Sequence, residues 1–147
     1  MLLFFGIILL RESLGIGNMK VLTVKEPWAS LIINGYKMYE FRSWKTSYRG
    51  KALIHAGKSI EKNNLALFND YNLDYSFGYI IGEVELEDCI LVDDKMQKEL
   101  ESSNKHVYRK NYVGLYAWKL DNIVKYKKED RISVNGKLGL WNYNDRG

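Results

Sequence analysis

From Met19 onward the chain reads mostly in period two, the repeat of a half-buried strand. Val21 to Lys25 alternates and predicts a first strand. Pro27 suits the opening of a helix, where its missing N–H costs nothing. Trp28 to Ile33 is then a short apolar helix stopped at Gly35. Met38 to Trp44 is a second strand, and Ser47 to Gly50 a turn. Ala52 to Ala56 is continuously apolar, which predicts a third strand covered on both faces. Ser59 is placed to cap a helix running to about Tyr71, with Ile60, Leu67 and Phe68 inward. Tyr79 to Val92 carries the longest strand signal. Val84 and Leu86 face one way there; Glu83, Glu85 and Glu87 face the other. Asp93 or Asp94 caps a helix with Met96 and Leu100 on one side. Tyr112 to Leu120 and Ile132 to Tyr143 close the pattern, the latter broken by a turn at Asn135-Gly136. About six strands and two or three short helices, with no repeating strand–helix–strand order, predict an α+β fold built as a small mixed β-barrel.

Residues 1–18 stand apart from this pattern. Met1 to Leu10 is apolar throughout, followed by Arg11-Glu12 and a Gly-containing stretch. It is too short for a membrane-spanning helix, which needs about 20 residues. It lacks the basic start of a signal peptide. The expectation is a leader outside the fold, either an over-extended start or a signal-like segment, with the domain occupying 19–147 and no membrane association there. Removing the leader takes away one Arg and one Glu, so the net charge is unchanged.

The chain has 147 residues, enough for one domain with one core. Its net charge of +4 favours an anionic partner. One cysteine, Cys89, excludes an internal disulfide and fits a reducing cytoplasm. Two histidines and that cysteine leave no metal-ligand spacing. No cofactor motif is present, and a monomer is expected. Aromatic residues are abundant, with eleven Tyr, five Phe and four Trp.

The richest segment is Asn34 to Trp44, N-G-Y-K-M-Y-E-F-R-S-W. Glu40 and Arg42 are two residues apart on a strand and share a face, with Cβ atoms about 6–7 Å apart. Opposite charges there suit a polar cleft better than a core. Lys37 has the wrong parity for that face, so it sits before the strand or beside a bulge. Lys45 and Lys58 are close enough in sequence to flank the same cleft. Trp28, Tyr39, Trp44 and Tyr48 offer flat faces. The N–H groups of Trp28 and Ala29, opening the first helix, are an anion site in prospect. Plainer readings stand beside these. Glu40 and Arg42 pair with each other; Trp28, Trp118 and Trp141 are core; His55 is a hydrogen-bonded core histidine; Lys125, Lys127 and Lys128 are a solvated loop.

Four stretches together resemble the ASCH domain family of the PUA-like superfamily: L-T-V-K-E-P-W-A-S-L-I at Leu22 to Ile32, G-Y-K-M-Y-E-F-R at Gly35 to Arg42, Y-R-G-K-A-L-I-H-A at Tyr48 to Ala56, and G-K-L-G-L-W at Gly136 to Trp141. The second matches the family's G-x-K-x-x-E-x-R signature. The family usually has Gln before Pro-Trp; here Glu26 stands there and sets a negative charge beside the cleft. The resemblance implies a PUA-like barrel and an RNA- or modified-nucleotide-binding cleft beside that signature. With the charges and flat faces above, the candidate binding residues are Trp28, Lys37, Glu40, Arg42, Trp44 and Lys58. Two other roles lie within the family's range. One is catalysis: an amidohydrolase acting on acylated cytidine, with Lys37 and Glu40 as the candidate residues, or a ribonuclease using His55 and Lys37. The amidohydrolase pattern has a threonine three residues after the lysine; that position is Glu40 here. The other role is a protein-interaction module of a transcription coactivator.

Overall fold

The structure, a computed structural model, describes residues 19–143. The leader expected at 1–18 lies outside them. Seven strands form one sheet: β1 Lys20–Glu26, β2 Tyr39–Arg42, β3 Gly50–Ile60, β4 Tyr79–Leu91, β5 Tyr116–Lys125, β6 Ile132–Ser133 and β7 Leu140–Asn142. The helices are α1 Trp28–Ile33, α2 Lys62–Leu65 and α3 Asp94–Ser103, with 3-10 turns at Ala66–Tyr71 and Lys128–Asp130. The sheet runs β2-β5-β4-β3-β1-β7, with β6 on β4. Only β1 and β3 pair in parallel. A parallel pair needs a crossover, and α1 with β2 supplies it.

The α+β reading holds, but the sheet is open, not a closed barrel. Its ends are β2, of four residues, and β7, of three. Each spends its hydrogen bonds on a single neighbour, β2 on β5 and β7 on β1. Side chains cross the remaining gap, as described below.

The main core gathers Leu22 and Val24 of β1, Ala52, Ile54 and Ala56 of β3, Val84 and Leu86 of β4, Trp118 and Leu120 of β5, and the apolar residues of α1. Leu53 points to the other side, into a smaller core with Met19, Val21, Ile80, Tyr126 and Tyr143. β3 is therefore buried on both faces, as its apolar run predicts. Gly82 carries no side chain where α1 presses on β4; a Cβ there would lie 2.8 Å from Ile33 Cδ1. Asp93 caps α3 by accepting from the Met96 N–H at 2.8 Å.

Three local expectations change. Ser59 and Ile60 do not open a helix; β3 continues through them because Ile60 pairs with Glu26 beyond a register shift. The helix expected there is reduced to α2 and a 3-10 turn, and Phe68 alone of the three inward candidates is buried. The last two predicted strands also shift. Tyr112 to Leu115 forms a turn, so β5 starts at Tyr116 and reaches Lys125; the final strand divides into β6 and β7.

Candidate functional site

α1 ends in a turn that returns the chain toward the interior. Gly35 takes φ +83°, open to glycine, and the N–H groups of Tyr36 and Lys37 both donate to Leu31 O, at 2.9 and 3.1 Å. Lys37 thus lies before β2, one of the two placements its parity allowed. Its backbone is pinned to the helix, and its side chain is only 3% exposed.

Lys37 Nζ donates to Tyr39 O and, at 2.9 Å, to Glu40 Oε1. Arg42 Nη2 donates to Glu40 Oε2 at 3.0 Å and to Thr23 O at 2.7 Å. Glu40 also accepts from the Phe41 N–H at 3.2 Å. The plainer reading of Glu40 with Arg42 as a pair therefore holds, and Lys37 joins them. Burial drives the Glu40 carboxyl upward, but Lys37 and Arg42 outweigh it and hold the group below its ordinary 4.5. Burial draws the Lys37 ammonium below its ordinary 10.5, against the pull of Glu40. The Lys37 ammonium also lies over the rings of Phe41, at 5.0 Å, and Trp28, at 5.8 Å. Arg42 Nε is buried without a hydrogen-bond partner.

This cluster forms part of the wall of a cleft of about 820 Å³. Trp28, Lys37, Glu40, Arg42, Trp44 and Lys58 all line it. Trp28 is both core and wall: it is buried, packs edge-on against Phe68 at 5.8 Å, and donates from Nε1 to Glu61 Oε2 at 3.3 Å. Trp44 is 44% exposed. Tyr39, Tyr48 and Lys45 are not on the wall. Tyr39 turns toward Tyr108 in the core, and the Tyr48 hydroxyl donates to Lys51 O.

The first turn of α1 carries a carboxyl group of its own. Glu26, fully buried, folds back on the first turn and accepts from Ser30 N–H at 2.8 Å and Ser30 Oγ at 2.6 Å. Both bonds go to Ser30, one residue beyond the Trp28 and Ala29 N–H groups expected to face an anion, and burial raises the Glu26 carboxyl above its ordinary 4.5.

His55 is buried, as its apolar neighbours suggest, and its bonds define its tautomer. Val134 O can only accept, so Nε2 carries the proton and donates to it at 3.2 Å. Nδ1 then accepts from Thr23 Oγ1 at 3.3 Å, and Thr23 Oγ1 accepts from Trp141 Nε1 at 2.9 Å. Burial holds His55 below its ordinary 6.5. Both ring nitrogens are spoken for within the fold, so the imidazole ties β1, β3 and the β6–β7 loop together. Trp141 is accordingly half-buried beside His55, while Trp118 is wholly core.

Sequence reasoning missed several wall residues. Lys110 and Lys137 add cations, and Lys25 a third. Glu61 bridges to Lys110 at 3.3 Å. Tyr112 stacks on Phe41 at 3.8 Å, and burial pushes its phenol up to about 12. Lys110 and Tyr112 carry no local signal, because they reach the cleft from the loop after α3. Lys137 lay within the matching G-K-L-G-L-W stretch. The lining holds six basic residues against two acidic ones, so the cleft is cationic. Among the described residues no three His, Cys, Asp or Glu side chains gather as a metal site. No described helix is long and apolar enough to cross a membrane.

Comparison with known proteins agrees with this architecture. Activating signal cointegrator 1 from Homo sapiens is 37% identical over 144 residues, covering 84% of this chain and 24% of the relative. The Mus musculus protein of the same name is likewise 37% identical, over 147 residues. The chain thus spans about a quarter of the length of these curated relatives. The crystal structure of ASCH from Zymomonas mobilis superposes with a TM-score of 0.55 at 16% identity, covering 87% of this chain and 89% of that one. The ASCH domain family pattern matches residues 22–130, and this chain belongs to the ASCH domain family.

Proposed function

We propose that the cleft binds RNA or a nucleotide, with Lys37 and Arg42 at its floor and Lys58, Lys110 and Lys137 on its rim. The carrying observation is the charge arrangement. Glu40 holds two cations in fixed positions within a cleft whose lining is net basic and partly aromatic. Phosphates gain from such a wall through counterion release, and bases gain from flat rings. Glu40 serves first to orient Lys37 and Arg42; a base amine would be a further donor to a carboxylate that already has three. A cytoplasmic location accords with the single free cysteine, Cys89.

The name of the curated relatives, a signal cointegrator, supports a second reading in which the domain serves a protein assembly.

The test is binding of single-stranded RNA over a salt series. Replacing Lys58 or Lys110 with Ala should weaken binding and lower the salt slope by about one for each phosphate no longer neutralised. Lys37→Ala and Arg42→Ala should weaken it further, with melting curves confirming the fold. Unchanged affinity in all four folded variants would place RNA elsewhere.

A further inference from the structure

Leu138 is 95% exposed, the most exposed large apolar side chain among the described residues. A lone exposed leucine is ordinary on a protein surface. This one differs in how it is held. It lies on the loop between β6 and β7, which is anchored at Val134 and Gly139 and packed at Gly136. Val134 N–H donates to Gly78 O at 3.1 Å, and Val134 O accepts from His55. Gly136 lies against the imidazole so closely that a Cβ would overlap it. Gly139 O accepts from Thr23 N–H at 3.0 Å. Between these anchors Lys137 and Leu138 stand out on the wall of the cleft.

Trp44 is the neighbour of this loop across the open side of the sheet. Its indole sits edge-on to Trp118 at 4.7 Å, and its carbonyl accepts from Trp118 Nε1 at 3.4 Å. A Cβ built on Gly139 would lie 3.5 Å from Trp44 Cζ2. Gly139 also has φ +70°, where a side chain would be strained. Trp44 and Leu138 therefore lie at adjoining positions along one lip, both exposed and both on a supported backbone. Lys137 is the next residue along.

We propose that Trp44 and Leu138 form an apolar lip on which one unpaired base stacks, so that the cleft selects single-stranded over duplex RNA. This rests on the reading of the cleft as an RNA site. The juxtaposition is that of a nucleotide itself: a flat apolar surface for the base beside cations for its phosphates. A base inside a duplex has both faces covered by its neighbours, and must unstack to reach the lip. A base in a single strand is free to do so. Because the lip is held in place before binding, little ordering is required of the protein.

The experiment compares a short labelled single-stranded RNA with its duplex, using the full chain. Leu138→Ala leaves the core intact and should weaken single-strand binding by about three- to tenfold, with duplex affinity and the salt slope unchanged. Leu138→Phe should restore or strengthen it. Trp44→Ala should weaken it by about tenfold or more, and Trp44→Phe should retain most of it. Lys110→Ala should weaken both ligands and lower the salt slope. If the lysine variant behaves so while Leu138→Ala and Trp44→Ala leave single-strand affinity intact, or weaken both ligands equally, the lip is not a base platform although the cleft still binds RNA. If the lysine variant too has no effect, the RNA reading falls and this inference with it.

Discussion

Arg42 at the end of β2 donates through Nη2 to the carbonyl of Thr23 in β1, at 2.7 Å. The two strands share no ladder. One side chain thus spans the open side of the sheet and, through the same nitrogen, holds Glu40. Lysine has the charge but not the planar fork. Arg42→Lys is therefore expected to lower stability by about 1–3 kcal/mol, read as a shift in urea midpoint at unchanged slope. An unshifted midpoint would show that the bridge contributes nothing to closure.

Glu40→Gln should destabilise the fold at neutral pH, because Lys37 and Arg42 lose their common counter-charge. The sign of its pH dependence follows from the depressed carboxyl. Stabilisation by Glu40 is fully present above its ordinary 4.5 and is lost as pH falls through the lower folded value. Wild type and Glu40→Gln should therefore converge in stability as the solution is acidified. In RNA binding the substitution has two opposed effects: a negative charge leaves the cleft, and Lys37 and Arg42 lose the counter-charge that positions them. Affinity that holds or rises in the folded variant means the first prevails; a fall means the positioning does. A gap that widens in acid would contradict the assignment.

The Lys110 ammonium lies 3.3 Å from Glu61 Oε2, so on the proposed reading of the cleft Glu61 would compete with a phosphate for it. Both side chains are substantially exposed, so the pair adds little stability. Glu61→Gln should therefore raise RNA affinity a few-fold at low salt with a small change in melting temperature. A drop in affinity would mean that Glu61 itself contacts the ligand or holds Trp28 in place for it.

His55 favours the neutral form in the fold. Its contribution is complete above the ordinary 6.5 and is lost as pH falls through the lower folded value. Melting temperature should decline over that window, and His55→Gln should flatten the decline. Gly136→Ala should disturb the same joint by forcing a methyl into the imidazole, destabilising the fold by about 1–3 kcal/mol. A wild-type profile retained in full by His55→Gln would assign the pH dependence to other groups.

Acetylated cytidine should remain intact with the wild-type protein. The residue three beyond Lys37 is Glu40, which carries no hydroxyl. Thr23 Oγ1 on the wall does lie beside a base, His55, but it also accepts from Trp141 Nε1, so it is held within the fold between the two rings. The assay is appearance of cytidine over time. Hydrolysis that Glu40→Gln abolishes would promote catalysis by Lys37 and Glu40 over binding.

The local elements were legible because local physics decides them. Period-two alternation marks β1 and β4, the apolar run of β3 means burial on both faces, and Gly35 stops α1. Parity alone put Lys37 outside the regular strand, and the residues of Asn34 to Trp44 already suggested a polar cleft. What the chain does at long range was not written in any window. Whether the sheet closes depends on pairing between β2 and β7, far apart in sequence and each committed to another neighbour. The expected helix at Ser59 lost to a ladder with Glu26, since strand pairing outweighs a capping signal. Glu26 folded back onto Ser30 in the first turn of α1 and became buried, where the sequence had suggested a charge beside the cleft. Lys110, Lys137 and Leu138 join the cleft only because the fold brings the loop after α3 and the β6–β7 loop to its rim. Sequence determined which side chains carry charge and which segments bury apolar faces; tertiary packing decided which charges meet, because their partners lie many residues away and are chosen by the fold.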